Sequence, residues 1–171
     1  DWVRVALASA ENSYTLTAYK ATDVRYADPV RGKDTWDGTT DWEHRDEIRE
    51  IGPKLTLQAA CDVSTGSCPI VSAAAGFYTN AVTRIEDGGY ACRRRLVVKT
   101  QILIQSEEGA DRTFIVGAPD PATGGRGDDA IAGVYLHSSR FGCLQGFTIT
   151  GCHTPDGTGK NFQYGAAFCS G

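Results

Sequence analysis

The sequence predicts an all-β fold built from a repeating unit, and three observations support this prediction. From Leu96 onwards the apolar segments are short, rich in Ile, Val, Phe, Tyr and Thr, and bounded by Gly, which is typical of strands. These segments recur at nearly equal spacing along the chain. Polar inserts rich in Gly, Pro and Asp separate them, as loops separate the strands of a solenoid coil.

The recurrence is clearest in one set of equally spaced segments. Its members are Ile102–Ser106, Val134–Ser138 and Ala166–Ser170. A single repeat unit cannot bury its own apolar face, so it must stack on its neighbours. The alignment therefore predicts that Ile104, Leu136 and Phe168 lie one above another in a single hydrophobic column.

A second set of segments supplies another strand in each unit. Thr113–Gly117 aligns with Phe147–Gly151, position by position. Two strands per unit favour a solenoid coil. The alternative is an antiparallel sandwich whose hairpins resemble one another by chance, and hairpin connections between successive strands would establish it.

Four local structures are predicted in the part of the chain that precedes the repeat. Ser13–Tyr19 alternates between polar and apolar residues, which indicates a strand with one buried face. Tyr26–Gly52 is polar and charged, which indicates a loop with one exposed helical turn and no part in the core. Pro53–Val63 has apolar and small residues at helical spacing. Pro69–Tyr78 is typical of a strand that runs into a glycine turn.

Length and charge limit the classes of protein to which the chain can belong. Its 171 residues suit one domain, and its net charge of −4 provides no basic field for nucleic acid. No apolar stretch approaches the roughly 20 residues of a membrane span. The chain begins with Asp1 and contains no Met, which predicts an excised or processed segment.

Six cysteines are present: Cys61, Cys68, Cys92, Cys143, Cys152 and Cys169. No Cys-x2-Cys pair occurs, so a structural zinc site is not expected. The sequence does not choose among the possible disulfide pairings, and it predicts either buried thiols or one or two bridges. The number of cysteines favours a secreted or cell-surface location.

Five segments in chain order carry a resemblance to a known family: Asp34–Thr39, Leu55–Asp62, Ala75–Thr79, Leu144–Gly151 and Tyr164–Cys169. They resemble the opening loop, the capping helix, the turn into the first coil and two coil strands of right-handed parallel β-helix proteins. The similar members are pectin-lyase-like repeat proteins of the bacterial secreted and surface type. The likeness covers residues 26–171, and it leaves residues 1–25 as an N-terminal strand or extension without an assigned role.

The resemblance implies an all-β, right-handed parallel β-helix with a short N-terminal capping helix. The third repeat stops at Gly171, directly after its first strand. This predicts that the solenoid is truncated at its C-terminal end and that the chain is the N-terminal portion of a larger protein. An open sheet end invites association, so further β-helix coils of the parent chain are the expected partner.

The candidate catalytic residues are Asp111, Arg112 and His137, because carbohydrate-cleaving β-helices need carboxylates and a basic residue on successive coils. Asp111 and Arg112 are explained more simply as an exposed turn pair. His137 follows the apolar Leu136 in a strand, so it should face solvent. No Ser-His-Asp order or phosphate-binding loop is present, and no catalytic residue is assigned.

Two further features of the polar segments are candidates for binding. Asp34 and Asp37, with Asp28 and Asp41, are candidate Ca²⁺ ligands in a loop that contains glycine. The EF-hand spacing is absent, so a solvated turn is the preferred interpretation and no cofactor is expected. Arg126-Gly127-Asp128 is an adhesion-type tripeptide, too short to predict a function by itself.

The resemblance and the missing catalytic constellation together favour a non-catalytic scaffold at the cell surface or outside the cell. Its expected role is adhesion or contact with a polysaccharide or a cell-surface glycan, since solenoids present long rigid faces. The alternative is a fragment of a polysaccharide lyase or glycoside hydrolase whose active coils lie beyond residue 171. A pair of carboxylates on one face, about 5–10 Å apart, would favour that alternative.

Overall fold

The computed structural model describes residues 3–10, 13–20, 23–65, 69–80, 82–87, 90–137, 142–155 and 167–170. At 3–10, 13–20, 85–87, 90–91, 137 and 167–170 it describes the backbone alone. The described residues are mostly in strands, with one short helix, which confirms the predicted all-β class. In chain order the elements are β1 (Val3–Ala10), β2 (Ser13–Lys20), β3 (Val24–Ala27), α1 (Leu57–Asp62), β4 (Ile70–Ala73), β5 (Gly76–Tyr78), β6 (Thr83–Asp87), β7 (Tyr90–Val98), β8 (Leu103–Ser106), β9 (Thr113–Val116), β10 (Ile131–His137), β11 (Cys143–Gln145), β12 (Thr148–Thr150) and β13 (Ala167–Ser170).

Three sheets of mainly parallel strands account for the region from β3 to β13. The first sheet has the order β11-β8-β4-β3, the second β12-β9-β5, and the third β13-β10-β7-β6. The chain passes through the first, second and third sheets in the same order three times, starting from β4, β8 and β11. Because strands of successive passes pair in parallel, the predicted alternative of an antiparallel sandwich is wrong for these sheets.

Two pairs of strands depart from the parallel arrangement. β6 runs antiparallel to β7, at the edge of the third sheet. β1 and β2 form an antiparallel two-stranded sheet of their own, with Val3 opposite Lys20 and Ala10 opposite Ser13. The strand predicted at Ser13–Tyr19 is therefore β2, and its partner β1 precedes it.

The register of the second sheet confirms one of the two predicted alignments. Phe114 lies opposite Thr148, and Ile115 lies opposite Ile149. These are the pairs that the alignment of the two segments makes. Ile115 is fully buried and Ile149 packs against the same core, so this pair is part of a real hydrophobic column.

The other predicted alignment, which places Ile104, Leu136 and Phe168 in one column, is wrong. Ile104 belongs to the first sheet, in β8. Leu136 and Phe168 belong to the third sheet, where Leu136 lies opposite Cys169 and not opposite Phe168. The pairing of β10 with β13 is as predicted, but its register differs by one residue, and a one-residue slip exchanges the two faces of a strand.

The core lies between the three sheets. Each sheet contributes buried residues to one cluster: Val71 and Ile104 from the first, Tyr78 and Ile115 from the second, and Leu96, Val98 and Val134 from the third. Burial of each aliphatic side chain of this size stabilises the fold by about 1.5–3 kcal/mol. These buried residues belong to the first two passes of the chain, and the partly buried Leu144, Phe147 and Ile149 of the third pass pack against them.

Helix α1 covers one end of this core. Leu57 and Ala60 are buried in the core cluster, and the Thr56 hydroxyl caps the helix by accepting from the Ala59 N–H at 3.1 Å. The helix is shorter than the predicted Pro53–Val63, because Thr56 in extended conformation starts it and Val63 ends it. The resemblance implied a helix at this point of the sequence.

The Gln58 side chain extends this cover to the edge of β7. Its Oε1 accepts from the Val97 backbone N–H at 2.9 Å, and its Nε2 donates to the Val97 carbonyl at 3.2 Å. A neighbouring strand would make the same two contacts. The side-chain amide thus satisfies Val97 at a position beyond the end of the β6–β7 pairing.

The segment Tyr26–Gly52 differs from its prediction in one respect. After Tyr26 and Ala27, which end β3, it consists of turns and bridges without a described helix, but Trp36 is only 2% exposed. A side chain at Gly52 would overlap the Trp36 indole, so the glycine is what allows this close packing. The expectation that this loop takes no part in a core is therefore wrong, because one of its tryptophans is buried.

Candidate functional site

A cleft of about 130 Å³ lies where the turns between the first and second sheets meet the polar loop. Its lining residues are Tyr26, Ala27, Asp28, Arg31, Asp41, Trp42, Glu43, Pro53, Ala74 and Glu107. Ala74 follows β4 and Glu107 follows β8, so the parallel sheets supply one wall. The loop supplies the opposite wall. We call this the Trp42 cleft.

The indole of Trp42 is held by cations and by a second indole. The guanidinium carbon of Arg45 lies 3.7 Å from the ring centroid of Trp42, and that of Arg31 lies 4.9 Å from it. The ring of Trp36 stacks on it at 6.2 Å between centroids. Such cation–π contacts are worth about 0.5–1 kcal/mol each at exposed sites, so the partly exposed Trp42 is fixed in position.

Asp28 orders the loop wall of the cleft. It is 3% exposed, and its Oδ1 accepts from the backbone N–H groups of Val30 and Arg31, both at 3.0 Å. Its Oδ2 accepts from Arg31 Nε at 2.8 Å. The Arg31 side chain is thereby held between a buried carboxylate and the Trp42 ring.

Two more carboxylates of the lining have local partners. Asp41 accepts from His44 Nδ1 at 2.6 Å and from the His44 backbone N–H at 3.0 Å. Partial burial raises the pKa of Asp41, but these hydrogen bonds and the charge of His44 outweigh it and lower the pKa overall. Glu107 is exposed and accepts from the Ser72 hydroxyl at 2.7 Å.

The charges of the lining are unbalanced. Four carboxylates, Asp28, Asp41, Glu43 and Glu107, face one guanidinium, that of Arg31. Carboxylate oxygens accept hydrogen bonds from hydroxyl and ammonium groups, and they repel other carboxylates. The cleft can therefore hold a ligand rich in hydrogen-bond donors against an aromatic surface.

The predicted calcium candidates are engaged inside the loop. Asp34 accepts from the Thr56 backbone N–H at 2.9 Å and from the Thr56 hydroxyl at 3.1 Å. Asp37 accepts from Thr39, and burial, which raises its pKa, is outweighed by hydrogen bonds from Thr39 and Gly52 that lower it. Within the described ranges no three His, Cys, Asp or Glu side chains are grouped as metal ligands.

Two of the three catalytic candidates, Asp111 and Arg112, lie outside the cleft lining. Asp111 and Arg112 lie exposed in the turn before β9, and Arg112 Nη1 is 3.0 Å from Glu108 Oε2. His137 is the last residue of β10, and its side chain lies outside the described part of the structure. Asp111 and Arg112 are not among the residues that line the Trp42 cleft.

Sequence reasoning singled out Asp28 and Asp41 but missed Trp42, Tyr26 and Glu107 in the cleft. Trp42 stands directly before a run of charged residues, and an aromatic residue beside arginines is a signal for a cation–π site. Glu107 follows the end of a strand, and only the parallel pairing of β4 with β8 brings it beside Ser72.

Four cysteines are not in disulfide bonds: Cys61, Cys92, Cys143 and Cys152. Burial raises the pKa of the Cys61, Cys92 and Cys152 thiols, which makes them poor nucleophiles at neutral pH. The side chains of Cys68 and Cys169 lie outside the described part of the structure.

Comparisons of the chain with protein-family models, with curated proteins and with solved structures found no match. In the described residues, no helix has the length and apolar character needed to cross a membrane.

Proposed function

We propose that the chain is the capped end of a right-handed parallel β-helix of the pectin-lyase-like type, located at the cell surface or secreted. Its function is to contact glycans as a scaffold, without cleaving them. The threefold passage through three sheets in constant order supports the solenoid architecture, because each pass then forms one coil. The packing of α1 on the core and the hydrogen bond between Gln58 and Val97 support the assignment of this end of the solenoid as the capped end.

The proposal includes further coils stacked on β11, β12 and β13. Leu144, Phe147 and Ile149 pack against the core but are only partly buried. An additional coil would cover them in the way that each described coil covers the one before it. The apolar surface removed from water would stabilise the larger solenoid.

The proposed contact with glycans is placed in the Trp42 cleft. Sugar rings combine apolar C–H faces with hydroxyl groups, and the cleft combines aromatic rings with carboxylates and a guanidinium. The surplus of carboxylates favours neutral or amino sugars over uronates, because a uronate would bring another negative charge to the cleft.

The test is binding of purified chain to soluble oligosaccharides by calorimetry, with neutral glucan, chitosan and pectate oligomers as three arms. Binding to the first or second arm, and loss of at least about tenfold in affinity in Trp42→Ala, would support the cleft. Trp42→Phe should retain part of the affinity. Ile48→Ala is the matched control, because Ile48 is 96% exposed and does not line the cleft.

Three outcomes would count against the proposal. Absence of binding in the glucan and chitosan arms would overturn glycan contact through this cleft. Equal affinities of the wild type and the Trp42→Ala variant, with melting curves that show a folded variant, would place any binding elsewhere. Release of unsaturated product from pectate by the longer parent protein, with or without Ca²⁺, would establish the lyase alternative, whose active coils lie beyond residue 171.

A further inference from the structure

Glu107 is an exposed residue whose carboxylate is held in position by the first sheet. Its backbone N–H donates to the Ala73 carbonyl at 2.9 Å, which continues the pairing of β4 with β8 by one residue. Its Oε1 accepts from the hydroxyl of Ser72 at 2.7 Å, and Ser72 is fully buried. Its Oε2 has no hydrogen bond to any residue that the structure describes, so this oxygen can accept from a ligand in the Trp42 cleft.

The charge of Glu107 is not balanced by a cation in the part of the chain that the structure describes, where no Lys, Arg or His side chain forms an ion pair with it. The guanidinium of Arg31, which lines the same cleft, is bonded to Asp28 through Nε at 2.8 Å. Its Nη1 lies 3.9 Å from Glu43 Oε1, at the limit of an ion pair. The charge of Arg31 is therefore used on the loop wall, and the negative charge of Glu107 is left for a ligand.

The hydroxyl of Tyr78 lies close to both walls of the cleft. It is within hydrogen-bond distance of the carbonyls of Ala27 and Ala74, at 3.1 and 3.0 Å, and both alanines line the cleft. Burial raises the pKa of Tyr78 well above its usual value, and the charges of Asp28 and Glu107 add to this effect. A carboxylate of the loop wall and a carboxylate of the sheet wall therefore act on the same point. A cation bound near that point would be attracted by both.

We propose that the Trp42 cleft selects glycans that carry a protonated amine, and that Glu107 is the residue that receives the ammonium group. An ammonium provides three N–H donors and a positive charge, and a hydrogen bond to a charged group is about twice as strong as one between neutral groups. The ligand class is therefore an amino sugar with a free amine, such as the glucosamine units of chitosan. This inference rests on the glycan contact proposed above, and it narrows the ligand from neutral or amino sugars to amino sugars.

The test compares two oligosaccharides with the same sugar ring, a glucosamine tetramer and an N-acetylglucosamine tetramer, because acetylation removes the positive charge of each amine. Calorimetry of the whole chain at about pH 5.5 keeps exposed carboxylates ionised. We expect the glucosamine tetramer to bind at least about tenfold more tightly than the acetylated one. Added salt should reduce this preference, since it screens the attraction between the ammonium and the carboxylates.

The variant Glu107→Gln tests the residue itself. The amide keeps an oxygen that can accept from Ser72, but it carries no negative charge. We expect the affinity for the glucosamine tetramer to fall at least about tenfold and the affinity for the acetylated tetramer to change little. Glu108→Gln is the matched control, because Glu108 is also exposed, is paired with Arg112 and does not line the cleft. It should leave both affinities unchanged.

The outcomes separate this inference from the proposed function. Equal affinities for the two tetramers, both lowered in Trp42→Ala, would overturn the selection of amines and leave the glycan contact in place. A preference for glucosamine that persists in Glu107→Gln would overturn the role of Glu107. A preference of the wild type that salt does not change would also count against a charged contact, whether or not the variant folds. Binding of neither tetramer and of no neutral glucan would overturn the glycan contact together with this inference.

Discussion

The two ends of the stacked sheets are built differently. At one end α1 buries Leu57, and Gln58 satisfies the backbone of Val97 as a strand would. At the other end β11 and β12 are the outermost described strands of their sheets, and Leu144 and Ile149, which pack against the core, are only partly buried. The difference shows how the outer face of a stack of parallel strands is covered: a helix and one glutamine side chain take the place of a further strand, which an open strand edge would otherwise accept.

We expect the largest difference between the two ends when a leucine is replaced by alanine at each of them and the losses of stability are compared. Leu57→Ala removes a side chain that is 2% exposed, and we expect a loss of about 2–5 kcal/mol in the free energy of unfolding. Leu144→Ala removes a partly exposed side chain, and we expect a loss of about 1–2 kcal/mol. Urea denaturation followed by circular dichroism measures both values.

Equal losses for the two leucine variants would contradict the view that the ends differ. A larger loss for Leu144→Ala than for Leu57→Ala would show that the end at β11 is the better covered of the two. The urea dependence of each variant also checks that unfolding remains a single transition.

Because Gln58 bonds the Val97 backbone as a strand would, we expect its replacement to lower the stability by an amount between those of the two leucine variants. Gln58→Ala leaves the Val97 N–H and carbonyl without their partner, and we expect a loss of about 1–3 kcal/mol in the free energy of unfolding. The matched control is Gln145→Ala in β11, an exposed glutamine, for which we expect a change within about 0.5 kcal/mol. If the two variants were equally stable, the Gln58 contacts would not contribute to the cap.

The smallest difference that we expect between the two ends is in the reactivity of their cysteine thiols. Cys61 lies in α1 and Cys143 in β11, so a thiol at one end can be compared with a thiol at the other. Burial, aided by the charge of Asp62, raises the pKa of Cys61 and keeps it protonated, whereas Cys143 is exposed. At neutral pH we expect iodoacetamide to modify Cys143 at least about tenfold faster than Cys61, measured by peptide mass spectrometry. Similar rates would mean that α1 opens readily.

The two predicted alignments show which strand pairs sequence periodicity can predict and which it cannot. The alignment of β9 with β12 was right because both strands have matching short sequences and lie in one sheet. The alignment of β8 with β10 was wrong because these strands lie in different sheets. Within the first sheet Ile70 lies opposite Leu103, and Leu103 lies opposite Cys143 across a longer stretch of chain. The inserts between strands differ in length, so strands that pair in one sheet are not separated by a constant number of residues.

The candidate site was predictable only in part. The polar loop drew attention to Asp28 and Asp41 as oxygen donors, and both line the cleft. The structure also shows why Asp34 and Asp37 are not there: Asp34 is bonded to Thr56, and Asp37 is bonded within its own loop. Hydrogen bonds between residues far apart in the chain decide which carboxylates stay available, and no local pattern records them.

The sequence by itself determined the β character of the strands, the position of the helix and the glycine turns, because these depend on neighbouring residues and on side-chain alternation. Only the tertiary structure decided which strands pair, which apolar residues share a column, and that Trp42 meets Glu107 across a cleft. The reason is that short strands of similar composition can pair in many registers, and the choice among them is made by how all passes of the chain pack together.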